Sequence, residues 1–368
     1  MGKYRGERWE LTYDVENAYG EAPTSSLTAK NLFGVFDSAR LPDPSFDHQR
    51  FWMMNPANRN FYVAYKGRAS CNGSIGDITL LDGRPLFLPI ADTITHTGEG
   101  PYVHTINETI NLPSIRLVAT NISDEDVTPE ELSRWFVGGK VGRATYSCQE
   151  GGMLKMALDD MQFKMPYYKA PSSVKISPWY DVDAVRQTFT YPCSEPYYFS
   201  QGSIKAKFPS LGMTEVEIPF VRSFSLSVSN SLQPRYYVTS NEEKVPYEIW
   251  EGRREYSLSL ALDLVDHPTN TFEKDTPLLE LLSQGMDSTT LKGAAIELTF
   301  TKGENNYIKF ITPADYTPDC GGDEQGALVV NCSMPITTEG VVGVTMEMRP
   351  RNLKIEVKDS IAGTDYPV

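Results

Sequence analysis

The sequence predicts an all-β protein, and three observations carry that prediction. The 368-residue chain holds 20 tyrosines, 16 phenylalanines, 27 glycines and 25 prolines, a composition that favours pleated, turn-rich structure over helical bundles. Several segments alternate apolar and polar residues with a period of two, as half-buried strands do. Helical patterns are few and short. The length exceeds one ordinary core and predicts two domains of roughly 100–200 residues each.

The cleanest alternation lies in the second half of the chain. Residues 223–229 alternate serine with apolar side chains, residues 256–264 alternate for five steps, and residues 296–300 repeat the pattern against glutamate and threonine. We expect each segment to be a strand with one face on a core. The apolar positions are Phe224, Leu226, Val228, Tyr256, Leu258, Leu260, Leu262, Leu264, Ile296, Leu298 and Phe300.

The segment from Val141 to Phe163 predicts a β-hairpin. Its turn is Gln-Glu-Gly-Gly at 149–152, where the glycines can take positive φ. The second strand changes phase at Asp159 and Asp160, which predicts a β-bulge. Paired carboxylates can also perform acid–base chemistry or hold a metal. No histidine or third ligand lies nearby in the sequence, so we favour the bulge.

Two short helices are predicted, one in each half. Thr128-Pro129-Glu130-Glu131 forms a capping box with proline at the first helical position, and the helix would continue to Phe136. A second helix would begin at 276–277 (Thr-Pro), run through the leucines at 278–282 and stop at Gly285. Each is long enough to cover one edge of a sheet.

Prolines mark the predicted domain boundary. The stretch 167–202 contains Pro171, Pro178, Pro192 and Pro196 and little sustained alternation, so we expect a linker or exchanged arm there. The first domain then spans 1–166 and the second spans 203–368. Each carries several strands and one predicted helix, which predicts two similar sandwich-like domains in tandem.

Charge and targeting signals exclude several classes of protein. The formal net charge is −14, and the densest basic spots are pairs such as Arg253–Arg254, whereas a protein that grips nucleic acid shows a basic face. The acidic balance serves solubility, or it provides a surface that does not hold DNA. No apolar signal follows Met1 and no segment approaches the ~18 apolar residues that span a bilayer, so we expect a soluble chain inside a cell. We expect free thiols at Cys71, Cys148, Cys193, Cys320 and Cys332.

The chain carries no recognised catalytic or nucleotide-binding motif. His96 and His104 flank a Gly/Pro segment and could be joined with Glu99 into a metal site, but a turn between two strands is the simpler interpretation because metal sites need three or four placed ligands. The acidic run 124–126 lacks the glycine and final glutamate of a calcium loop. Its carboxylates would instead interact favourably with the dipole of the helix predicted after it. We therefore predict no catalytic, cofactor-binding or metal-binding residues and no enzyme. A glycosidase, which needs only two suitably spaced carboxyl groups, stays open.

Several segments are more specific than their physical role requires. Residues 195–204 read EPYYFSQGSI, 221–230 read VRSFSLSVSN, 234–237 read PRYY and 246–258 read PYEIWEGRREYSL. This order resembles the major tail tube proteins of long-tailed, siphovirus-like bacteriophages and related archaeal viruses. The resemblance is strongest over 195–265 and covers most of the chain. Further similar positions are Trp9-Glu10-Leu11-Thr12-Tyr13 with Tyr19-Gly20, Gly73-Ser74-Ile75, Leu80-Leu81 and Gly138-Gly139-Lys140.

The resemblance implies a structural virion protein. In the family, the inner sheets of β-sandwich domains join around a ring into a β-barrel, and the rings stack into the tube that delivers the genome. The implied partners are other copies of the chain, the tape measure protein, and the tail terminator and baseplate proteins. Viral DNA would pass through the lumen without specific binding, so we expect a net acidic or neutral wall. The implied location is the virion tail, assembled in the host cytoplasm.

Two points of this expectation have alternatives. Many family members have one tube domain, whereas two predicted domains would give trimeric rings with pseudo-sixfold symmetry. One tube domain with a decorating domain would instead give six chains per ring. The alternatives for function are another tail ring component, such as a terminator or baseplate protein, and a carbohydrate-binding or carbohydrate-active β-sandwich.

Overall fold

The computed structural model describes eleven stretches of the chain, and the structural statements below concern those residues. They are 4–20, 33–51, 63–123, 131–166, 195–207, 216–218, 220–237, 244–263, 293–312, 327–333 and 343–366. The predicted second helix, the acidic run 124–126, most of the predicted linker, Cys193, Cys320 and Leu264 lie outside them.

These residues are almost entirely strands and the turns between them, so the predicted all-β class is confirmed. The helical turns among them are 3₁₀ turns at Arg84–Phe87, Phe199–Gln201 and Gly363–Asp365. No helix in the described part of the chain is long and apolar enough to cross a membrane. The strands are β1 Tyr4–Val15, β2 Ser38–Arg40, β3 Pro44–Phe51, β4 Val63–Thr79, β5 Thr95–Thr97, β6 Tyr102–Asn107, β7 Ile115–Ser123, β8 Glu131–Gln149, β9 Lys155–Phe163, β10 Met165–Pro166, β11 Gly202–Lys207, β12 Val216–Glu217, β13 Val221–Ser229, β14 Gln233–Arg235, β15 Glu248–Trp250, β16 Glu255–Asp263, β17 Gly293–Thr301, β18 Tyr307–Thr312, β19 Ala327–Ser333, β20 Gly343–Arg349 and β21 Lys354–Asp359.

Antiparallel pairing arranges the strands in three connected sheets and a small ribbon. The broad sheet has the order β3-β4-β9-β8-β13-β16-β20-β19. Strand β2 pairs with a later part of β4, on the same side of β4 as β3. The distal sheet has the order β5-β6-β21-β18-β17-β11-β12. The N-terminal sheet contains β1, β7, the first part of β8, and β10. Strands β14 and β15 pair only with each other among the described strands.

The broad and distal sheets pack face to face as a sandwich. The Tyr146 and Phe310 ring centroids lie 5.0 Å apart across the interface, and those of Phe224 and Phe300 lie 5.5 Å apart. Every apolar position of the three predicted alternating strands that the structure describes is buried, as predicted. Burying a side chain such as Leu260 contributes about 2 kcal/mol. One continuous hydrophobic core includes residues of both predicted halves.

The predicted hairpin and bulge are both confirmed. Strands β8 and β9 pair around the turn, and Gly151 takes φ +71° there. Between the pairs Gly73↔Met161 and Ile75↔Leu158, β9 has one residue more than β4. The extra residue falls at Asp159–Asp160, and Asp160 has φ +49°. The bulge keeps Met161 and Phe163 in the core after the change of phase.

The first predicted helix is wrong over residues 131–136. This segment begins β8, where Phe136 pairs with Leu117 of β7 and with Pro166 of β10. Phe136 is fully buried in the core. Pairing on both sides and burial of the aromatic ring outweigh a capping preference worth about 1 kcal/mol. Residues 128–130 lie outside the described chain.

The two halves of the chain repeat one strand order. In the broad sheet, each half contributes four neighbouring strands, and counted in chain order they lie side by side as first, second, fourth and third. These units are β3-β4-β9-β8 and β13-β16-β20-β19. In the other sheets, β1-β7-β8-β10 and β11-β17-β18-β21 both run in simple chain order. The halves also pair directly, β8 with β13 and β6 with β21. The division into domains 1–166 and 203–368 with a linker 167–202 stays a prediction.

Candidate functional site

The centre of the broad sheet is a junction between the two halves. Strand β8 pairs with β13 from Gln149↔Ser223 to Arg143↔Ser229, without a register shift. The segments 221–230 and 246–258, on which the resemblance to tail tube proteins is strongest, form one side of this junction. Asn230, Glu251 and Arg254 of these segments lie at the end where β13 stops and β16 begins.

Asn230, the residue that follows β13, connects the two halves. Its side chain is buried, and its Nδ2 donates hydrogen bonds to the carbonyl oxygens of Pro89 at 2.9 Å and Val141 at 3.0 Å. Its Oδ1 accepts a hydrogen bond from Arg254 Nε at 2.7 Å. A buried amide with partners on both ends resists sliding of β13 along β8, because each lost partner would leave a polar group unsatisfied.

Arg254 and Glu251 complete this connection. The Arg254 guanidinium donates to the carbonyl oxygens of Ile90 at 3.1 Å and Thr109 at 3.0 Å and pairs with Glu108 at 3.1 Å. Glu251 accepts from Lys140 Nζ at 2.5 Å and from the backbone nitrogen of Leu112 at 3.1 Å. Asn230, Glu251 and Arg254, here called the junction clamp, therefore hold second-half strands to first-half backbone. The sequence singled out these residues by resemblance alone.

The solvent side of the broad sheet carries small hydroxyl side chains across its centre. Ser147, Ser225 and Ser259 lie opposite one another on β8, β13 and β16, and Thr145, Ser227 and Ser257 form the next row. All six are half-buried between neighbouring strands. We call these six residues the hydroxyl face. Charged side chains of both signs surround it: Arg143, Lys155, Asp159, Arg222, Glu255, Asp263, Glu347 and Arg349.

The two outer strands of the broad sheet each have one side that pairs with few or no described strands. In the described part of the chain, β3 pairs with β4 alone. Strand β19 pairs with β20, and only its first two residues, Ala327 and Leu328, also pair with β17. Val330 is an extra residue in the β19–β20 ladder and is 54% exposed. Open strand edges are templates for pairing with another chain.

The histidines considered as metal ligands form a hydrogen-bonded pair in which His104 is buried and His96 is half-buried. His96 and His104 lie opposite each other in the β5–β6 hairpin, with their Nδ1 atoms 2.7 Å apart, and the intervening segment is the predicted turn. His104 Nε2 lies 3.2 Å from Asp359 Oδ1, and Tyr366 donates to Asp359 Oδ2 at 3.1 Å. Burial, followed by the nearby His104, lowers the pKa of His96.

Glu99, the third residue of that candidate metal site, is exposed. In the described residues, no three His, Cys, Asp or Glu side chains are grouped as metal ligands. Cys71 and Cys148 are buried free thiols whose pKa burial raises to about 11, and Cys332 is also free. These three cysteines match the expected free thiols.

Sequence reasoning missed a buried ion pair that interacts electrostatically with Tyr366, whose ring packs against both histidines. Arg84 Nη2 lies 2.7 Å from Asp82 Oδ2, and both side chains are largely buried. Lys302 lies 3.8 Å from the centre of the Tyr197 ring, and burial lowers its pKa. Nothing in the local pattern distinguishes these charges from exposed ones, because remote strands bury them.

Comparison with known proteins gives little further information. No family model matches the chain, and no curated protein matches it. The chain is similar to a solved structure described as the cryo-EM structure of the anti-feeding prophage (AFP) baseplate, 6-fold symmetrised. The match covers 44% of this chain and 96% of that chain, at 13% identity and a TM-score of 0.31. A similarity of this size supports no functional argument.

Proposed function

We propose that this chain is a structural subunit of a viral tail tube that assembles into stacked rings of three copies and has no enzymatic activity. The observation that carries the proposal is the repeated four-strand order of the broad sheet, joined at β8–β13 and ending, among the described strands, at β3 and β19. The resemblance of segments 195–204, 221–230 and 246–258 to tail tube proteins supports it independently.

The internal junction is a template for the contact between copies. Within the broad sheet, β8 is the third strand in chain order of the first four-strand unit. It pairs antiparallel with β13, the first strand of the second unit. By the same relation, β19 of one copy would pair with β3 of the next copy. Each chain then adds two four-strand units, and three chains give the six units of a pseudo-sixfold ring. Cyclic closure covers both outer strands of the broad sheet.

The hydroxyl face suits the wall of a conduit for DNA. Sequence-independent binding to DNA comes from cations that neutralise phosphates, and the hydroxyl face carries none. The surrounding charges have both signs, and the whole chain has a net charge of −14. A wall of this kind, net neutral or acidic, lets the duplex pass without adhesion. Further partners are the tape measure, terminator and baseplate proteins, and the location is the virion tail.

The edge contact is tested by a proline at the bulge of β19. Val330 is the extra residue of the β19–β20 ladder and has no partner on β20, so we expect Val330→Pro to preserve the fold while it removes one amide and restricts the backbone of the edge. We expect native mass spectrometry to find trimers for the parent chain and for Val330→Thr, and monomers with an unchanged melting temperature for Val330→Pro. Negative-stain images of the parent should show hollow rods or rings.

Several outcomes would reject the proposal. Six chains per ring would reject the trimer and support a single tube domain with a decorating domain. A single ring's worth of copies per virion would favour a terminator or baseplate protein. Binding on a glycan array, or hydrolysis of a glycan, would favour the carbohydrate class.

A further inference from the structure

An aromatic ribbon and an open groove lie at opposite ends of the broad sheet. Strand β13 ends at Ser229 and β16 begins at Glu255, and the β14–β15 ribbon joins them at that end. The groove lies about eight residues, or roughly 27 Å, away along the strands. It occupies the end where β8 stops, β13 begins and β16 stops. A copy placed head-to-tail on another would bring one copy's ribbon to the other's groove.

The ribbon is held on the body of the protein and has a defined shape. Ile249 and Leu232 are buried and pack with Leu112 in a small separate core. The Tyr236 hydroxyl donates to the carbonyl oxygen of Ala69 at 2.8 Å. A fixed surface loses little conformational entropy when it binds, so its contacts contribute more fully to affinity.

The outer side of the ribbon exposes large aromatic side chains. Tyr237, Tyr247 and Trp250 are 47%, 55% and 45% exposed. The two tyrosine rings contact edge to face at 5.5 Å, and the Arg235 guanidinium lies 4.9 Å from the centre of the Trp250 ring. Tryptophan, tyrosine and arginine are the residues that most often dominate protein interfaces. Their clustering at one end of the sheet marks a contact surface.

The groove at the other end has the size and charge to receive such a cluster. Its volume is about 470 Å³, and its lining includes Glu150, Arg222, Ser223, Asp263 and Thr345. Arg222 lies 3.7 Å from Glu150 and 3.5 Å from Asp263, so two carboxylates share one cation. These exposed pairs are weak and can rearrange. The remaining negative charge is complementary to Arg235.

We infer that the ribbon of one copy binds the end groove of a second copy of this chain in the adjacent ring. Trp250 enters the groove and Arg235 approaches Glu150. The contact is heterologous and does not close on itself, so it repeats along an axis and builds a tube. This inference rests on the proposed ring function and adds the surfaces through which rings stack.

A charge exchange tests the contact without relying on one variant. The variants are Arg235→Glu, Glu150→Arg, the combination of both, and Trp250→Ala. We expect all four to form rings by native mass spectrometry. Each single substitution should raise the concentration needed for tubes in negative-stain images by about tenfold or more, and the combination should return it to within a few-fold of the parent. Arg253→Glu is the matched control. It makes the same charge reversal at the same end of the sheet, on a side chain that is 85% exposed.

The outcomes separate the two levels of the proposal. If the parent forms no rings, the ring function fails and the stacking surface fails with it. If rings form and the single variants polymerise like the parent, the stacking surface alone is wrong. Failure of the combined variant to recover, or an effect of Arg253→Glu as large as that of Arg235→Glu, also rejects it. Tyr247→Ala replaces Trp250→Ala if the latter melts early.

Discussion

Strands β8 and β19 are the third strands in chain order of the two four-strand units of the broad sheet, but their surroundings differ. In the first half, β8 is one continuous strand of 19 residues that belongs to the N-terminal sheet and then to the broad sheet. In the second half, the same path is divided between β18 in the distal sheet and β19 in the broad sheet. Strand β8 is covered by β13 along its free side, whereas β19 is open beyond Leu328 in the described residues. Strand β8 therefore lies inside the broad sheet, whereas the equivalent strand β19 lies at its edge among the described strands.

The continuous strand needs a bend that the divided one avoids. Gly138 has φ +66°, and its amide donates to Glu16 Oε1 at 3.0 Å. A Cβ on Gly139 would lie 2.2 Å from the Phe163 ring. Burial raises the pKa of Glu16 in spite of its hydrogen bonds. The bend of β8 is thus closely packed, and β19 contains no equivalent glycine pair in the described chain.

The largest expected effect comes from the two faces of β16, next to the junction. Leu260→Asp places an unpaired charge in the core and should cost several kcal/mol, enough to unfold the chain. Ser259→Asp lies on the solvent side and should leave the fold intact. Circular dichroism melting of both variants checks the assignment of the faces. Equal melting of the two variants would contradict it.

Removal of the clamp arginine should have the next largest effect. Arg254→Ala removes the guanidinium donor from the Thr109 carbonyl oxygen and from Asn230 Oδ1, and one of two donors from the Ile90 carbonyl oxygen, at a cost of about 3 kcal/mol. Arg253→Ala, next to it but exposed, should change the free energy of unfolding by less than about 0.5 kcal/mol. Urea denaturation measures both. Similar losses would show that the clamp does not hold the halves together.

The bend of β8 should be more sensitive to an added methyl group than the open half is. Gly139→Ala forces the Phe163 ring to move and should destabilise the chain by about 2 kcal/mol. Gly343→Ala is the matched control, because its nearest neighbour, the Leu262 carbonyl oxygen, would lie 3.9 Å from the new Cβ. Thermal unfolding compares them. A tolerated Gly139→Ala would mean that the bend is less tightly packed than described.

The smallest expected effect is a pH dependence of stability from His96 on β5, which pairs with the β6 strand that joins the halves. The pKa of His96 is lowered in the folded chain, so the unfolded chain takes up the proton first as the pH falls. The free energy of unfolding is therefore unaffected by His96 above about pH 6.5, and it declines as the pH falls below that value towards the lowered pKa. His96→Asn should reduce this decline between pH 7 and 5 in urea titrations. An unchanged slope would exclude His96 as its source.

Local patterns predicted the parts of the fold that local chemistry controls. The alternation at 223–229 and 256–263 fixed both the strands and their buried faces, because successive side chains of a strand point to opposite sides. The phase change at Asp159–Asp160 likewise marked a bulge. The helix predicted to reach Phe136 failed because its competitors, β7 and β10, are remote in sequence. No pattern in one strand reveals which other strands will cover it.

By itself the sequence determined that the chain is all-β, where its best strands and their core faces lie, that His96 and His104 flank a turn, and which segments resemble tail tube proteins. Only the tertiary structure decided that the two halves repeat one strand order and join at β8–β13. It also decided that Asn230, Glu251 and Arg254 clamp that junction and that β3 and β19 are the outer strands of the broad sheet among the described residues. The physical reason is range. Side-chain alternation and turn chemistry act between near neighbours in the chain, whereas sheet order and the burial of Arg84 or His104 depend on strands that meet only after folding.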